Sequence, residues 1–158
     1  GVNMPKSYGE AKTFFNQEAH IYYCLGLLKT GDEATAAFEK AAEYKAAVSE
    51  ISAFRALALK KLGMIDAAAA VTAEMHASAN NLIENSDLRT YYGVGSPSPM
   101  PFEYNIEKQN LKAGYSLKAF AYFAEGDMAA ADACIEKAAN LDANDFAVYT
   151  YRQLKKLL

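Results

Sequence analysis

The chain has no tryptophan, four prolines, nine glycines and two cysteines among 158 residues. So few turn-forming residues leave an all-β sandwich or barrel without the connections it needs. Neither sign of charge dominates: 16 Lys and Arg against 19 Asp and Glu give a net charge of -3. Such a surface has no electrostatic footprint for nucleic acid or for anionic lipid, so neither is expected as a partner. No run approaches the ~18 apolar residues of a membrane-spanning helix. The first residues also lack the apolar stretch of a signal peptide. Cys24 and Cys134 belong to no CxxC pair and no histidine cluster accompanies them, so no metal site is expected. Both read as free thiols packed like small hydrophobes, a usage that leans toward the cytoplasm.

What is present is apolar and helical. The hydrophobic share is 52%, enough for a real core in one domain of this length. Alanine makes up roughly a fifth of the chain, well above ordinary usage, and it has the highest helix propensity. The expectation is a single all-α domain over residues 1–158.

The alanines recur with order. In the segment 112–145, Tyr115, Ala119 and Tyr122 fall four and three apart, one face of a helix. Gly126-Asp127 interrupts it, and Ala131, Ile135 and Ala138 mark a second face with the same spacing. A similar order runs through 49–81, with Ser52, Ala56 and Leu59, then Gly63, then Ala68, Thr72 and Met75. A third, shorter copy occupies 17–44, with Tyr22, Leu25 and Gly26, then Gly31-Asp32, then Ala34, Phe38 and Ala41. Small residues at such positions let paired helices approach, and bulky ones fill the gaps. Residues 146–158 read as a last helix, with Phe146, Tyr149, Leu154 and Leu157 placed to cover the open end.

This order of small and bulky residues resembles the tetratricopeptide (TPR) repeat. The resemblance implies a right-handed α-α superhelix of three helix pairs with a C-terminal capping helix. It also implies a concave groove lined by the first helix of each pair. Carried over residue by residue, that lining is His20, Tyr23 and Leu27 in the first copy. In the second it is Glu50, Ala53, Leu57, Lys60 and Lys61, and in the third Ala113, Ser116, Phe120, Phe123 and Ala124. Tyr23 and Leu27 stand where chaperone-binding members carry the Lys and Asn of a carboxylate clamp, so that specificity is not expected.

The stretch 82–110 breaks the regularity. It holds Pro97, Pro99 and Pro101 with Gly93 and Gly95, and alternating prolines cannot continue a helix. Its apolar Tyr91, Tyr92, Met100, Phe102 and Tyr104 suggest an insertion that packs back on the helices as a lid or wedge. The string from Tyr91 to Pro97, followed by Pro101-Phe102-Glu103, resembles the C-terminal helical-repeat region of large bacterial proteins common in the Bacteroides group. Their N-terminal part is a domain of uncharacterised function, sometimes encoded beside carbohydrate-related genes.

Candidate chemistry is sparse. Gly93-Val94-Gly95 lacks a third glycine, a preceding strand and a following helix start, so no nucleotide cofactor is expected. His20 and His76 have no nucleophile or second ligand at helical spacing. Asp127 and Asp142 fall where helices start or turn, which suits capping. The expectation is therefore not an enzyme and no cofactor. The chain would bind a protein segment or an adjoining domain of the same polypeptide through groove aromatics and aliphatics. The alternative is an accessory structural module of a larger carbohydrate-related protein.

Overall fold

The computed structural model describes residues 18–87 and 105–157. Among them are seven helices and no strand, in agreement with the all-α expectation: α1 (Glu18–Leu28), α2 (Gly31–Ala42), α3 (Ser52–Lys61), α4 (Ile65–Glu84), α5 (Ile106–Glu125), α6 (Met128–Leu141) and α7 (Phe146–Leu157). Each helix packs against its chain neighbours, and α1 and α5 also flank α3. The helix α4 runs on past Asn81 to Glu84, and α5 begins at Ile106. Both ends of the stretch read from sequence as an insertion are thus helical. Tyr91, Tyr92, Met100, Phe102 and Tyr104 lie outside the described residues.

Turns and caps explain where the helices stop. Gly63 and Gly126 have φ of 76° and 95°, a left-handed conformation that a side chain would strain. After Gly126 the Asp127 carboxylate accepts a hydrogen bond from the Ala130 N–H at 3.0 Å, capping α6. Asn105 caps α5 in the same way through Lys108 N–H, at 2.8 Å.

The alanine face holds the helices together. Ala19, Ala41, Ala56, Ala68, Ala119, Ala131 and Ala138 are all fully buried. The helices α4 and α5 approach closely at Gly114. A Cβ there would sit 2.7 Å from Ile83 Cγ1 and 3.0 Å from the Ala79 carbonyl oxygen. Gly26 plays the same part between α1 and α2, where a Cβ would meet the Phe38 ring at 2.5 Å.

Lys112 anchors the start of α5 to the segment before α7. Its ammonium lies 2.7 Å from Asp145 and 3.3 Å from Asp142, and these carboxylates raise its pKa against the opposing effect of burial. On the last helix the inward stripe is Val148 and Tyr151, both buried, while Phe146 is 69% and Tyr149 61% exposed. This corrects the expectation that Phe146 and Tyr149 cover the end of the stack. The reason is Tyr151, whose ring packs on Phe120 and Phe123 while its hydroxyl donates to Asp132 at 2.8 Å. Both its apolar body and its polar tip are satisfied only with that face turned inward.

Candidate functional site

The helices α1, α3, α5 and α7 each contribute an aromatic ring to one continuous row. His20 stacks on Phe54 with centroids 4.1 Å apart and planes 19° from parallel. Tyr23 lies 6.0 Å from Phe54, Phe54 lies 6.5 Å from Phe120, and Phe120 lies 6.1 Å from Tyr151. The row crosses α1, α3, α5 and α7, and the pairs after the closer His20–Phe54 stack fall within the ~4.5–7 Å range of favourable ring pairs. It is mostly interior. Tyr23, Phe54, Phe120, Phe123 and Tyr151 are buried, Phe120 to 1% exposure.

That burial bears on the groove read from sequence. Tyr23, Ser116, Phe120 and Phe123 were expected to face a partner, and the structure places all four in the core. The physical reason is that ring size lets α1, α3, α5 and α7 reach one another in turn, so the aromatics fill the space between them. Ser116 carries the one buried side-chain polar atom without a hydrogen-bond partner among the described residues. His20, Glu50 and Leu57 are partly buried, and Leu27 and Lys61 are exposed. Burial lowers the His20 pKa and raises that of Glu50, which Asp145 raises further.

Lys60 is committed within the molecule. From the end of α3 its ammonium donates to the carbonyls of Ala124 at 2.6 Å and Glu125 at 3.0 Å, at the end of α5. A cation there meets the negative end of the α5 dipole. Beside it, His76 Nε2 lies 3.1 and 3.2 Å from the two Glu125 carboxylate oxygens, and its ring lies 4.6 Å from Tyr122. The sequence shows no partner for His76 at helical spacing, and this contact is not legible there because Glu125 is 49 positions away.

The Lys60 bonds also show that α3 and α5 end at the same edge of the stack, and the His20–Phe54 stacking aligns α1 with α3. Large apolar side chains are exposed along this edge. At the end of α1 are Leu27 and Leu28, the latter 81% exposed. Between α3 and α4 are Met64 and Ile65, the latter 57% exposed. Sequence reading singled out only Leu27 of these, because they fall in or beside the turns rather than on a periodic face.

Cys24 and Cys134 are free, and burial raises both thiol pKa values. Among the described residues no three His, Cys, Asp or Glu side chains are grouped to hold a metal ion. No described helix is long and apolar enough to cross a membrane. Comparison with family models, with curated proteins and with solved structures finds no match.

Proposed function

We propose that this chain is a non-catalytic interaction module, a right-handed superhelix of three TPR-like helix pairs closed by α7, that binds a protein segment or an adjoining domain. The observation that carries this reading is the exposed apolar edge formed by Leu27, Leu28, Met64 and Ile65. Isolated exposed apolar side chains are common, whereas several drawn from two successive helix pairs along one edge are the usual mark of a docking surface. The residues beside them suit recognition. Leu57 and Lys61 offer an aliphatic contact and an uncommitted cation, while His20 and Glu50 set the polarity of the inner face.

A photo-crosslinking residue placed at Leu28 or at Ile65 tests the reading in the native host. Both positions should capture the same protein. Leu28→Lys and Ile65→Lys should abolish that capture without changing the melting temperature. Different or no proteins at the two positions would overturn the reading, as would hydrolytic turnover by the purified chain.

A further inference from the structure

The helices α1 and α2, and again α5 and α6, share a contact that the last helix lacks. Lys40 of α2 lies over the ring of Tyr22 in α1, 5.3 Å from its centroid. Lys137 of α6 lies over Tyr115 in α5 at the same 5.3 Å. Each lysine immediately precedes the last buried alanine of its helix, Ala41 and Ala138. Tyr149 of α7 stands 34 positions after Tyr115, and the alignment holds beyond this pair. Gly114 and Leu117 are buried on α5, as are their counterparts Val148 and Tyr151 on α7. On the other stripe of α5, Tyr115, Ala119 and Tyr122, Lys137 of α6 lies over Tyr115, Ala119 is fully buried, and the Tyr122 ring meets His76 of α4. Its counterpart on α7 is Tyr149, Gln153 and Lys156, flanked by Phe146. Here Phe146 and Tyr149 stand in solvent beside a shallow depression lined by Val148, Arg152, Gln153 and Lys156.

We propose that this stripe of α7 docks one helix of a partner protein, packed antiparallel as α6 packs on α5, with a lysine or arginine over Tyr149 and a carboxylate two turns earlier opposite Lys156. This deepens the interaction-module reading and rests on it. Continuity with the α5–α6 interface sets the geometry. A small-residue face is required because Gln153 replaces Ala119 and leaves less room at the centre. The charge pattern follows from what is uncommitted. Arg152 and Lys155 already pair with Glu136 and Asp132, at 3.0 and 2.5 Å, whereas Lys156 is exposed and Tyr149 offers an open ring face.

The test uses the full chain and a fluorescent helix peptide copying residues 127–143, with Cys134→Ala to prevent oxidation and Ala130→Glu to face Lys156. Saturable binding to the chain, with new hydrogen-exchange protection on α7, is expected. Tyr149→Glu in the chain should abolish it while leaving the melting temperature unchanged. Lys137→Ala in the peptide should weaken binding about two- to fivefold, the share of an exposed cation–π contact. Because a free peptide this short is poorly helical, a second arm joins it behind Leu158 through a Gly/Ser linker. The fusion should melt higher than the chain alone, and Tyr149→Glu should cancel the gain. Failure of both arms, or binding indifferent to Tyr149→Glu, would overturn the proposal. So would a dimer of the chain alone that Tyr149→Glu dissociates, because the stripe would then belong to a second copy. Crosslinks at Leu28 and Ile65 that persist beside such a failure would leave the broader reading standing.

Discussion

The ammonium of Lys60 lies 2.6 Å from the carbonyl oxygen of Ala124, across 64 positions of sequence. This bond, with its partner to Glu125, fastens the end of α3 to the end of α5. Lys60→Met keeps the aliphatic stem and removes both bonds. It should cost about 1–2 kcal/mol, since two carbonyls at a helix end lose a charged donor. Chemical denaturation of the two proteins measures it, and an unchanged midpoint would show that Lys60 is free to bind elsewhere.

Phe120 and Ser116 separate packing from recognition. Phe120→Ala should destabilise the fold by about 3–5 kcal/mol, because the ring joins α3, α5 and α7. Ser116→Ala should instead raise stability by about 1 kcal/mol, because it removes a buried hydroxyl that has no partner. A Ser116→Ala chain that melts lower than the parent would mean that this hydroxyl is bonded in solution.

At Gly114 the usual rule should reverse. Glycine to alanine inside a helix ordinarily gains about 1 kcal/mol. Here the Ile83 side chain can turn aside from a new Cβ, but the Ala79 carbonyl is backbone and cannot. Gly114→Ala should therefore lose about 1–3 kcal/mol by pushing α4 from α5. A thermal melt reads the sign directly.

The Tyr151 phenol has a pKa pushed well above its ordinary value, first by burial and then by the carboxylate of Asp132. The folded protein thus holds this proton where the unfolded chain releases it. The associated stability is complete below about pH 10 and falls as pH rises beyond it. Tyr151→Phe should cost about 1 kcal/mol at neutral pH through the lost hydrogen bond. It should also make the alkaline decline shallower, though not flat, because burial raises the Tyr23 phenol as well. Denaturation midpoints from pH 8 to pH 11 test both effects. Parallel alkaline curves for the two proteins would contradict the assignment.

The helices were legible because their signals are local. Alanines four and three apart marked the faces later found buried at Ala119, Ala131 and Ala138, and Gly63 and Gly126 marked the turns. The candidate site was legible only in part. The same periodicity that finds a helix face cannot tell whether a ring on it meets solvent or the next helix, so Phe120 and Phe123 read as groove residues. Leu28, Met64 and Ile65 gave no such signal, since they fall at helix ends where periodicity stops.

The sequence by itself therefore determined that this chain is helical, where most helices turn and which alanines let them touch. These follow from backbone propensity and spacing within a few turns. Tertiary structure decided the rest: that the aromatic row from His20 to Tyr151 fills the interior, that Lys60 is held by α5, and that α7 turns Tyr149 outward. Each depends on which surfaces meet across tens of residues, and hydrophobic burial selects those contacts only once the helices are assembled.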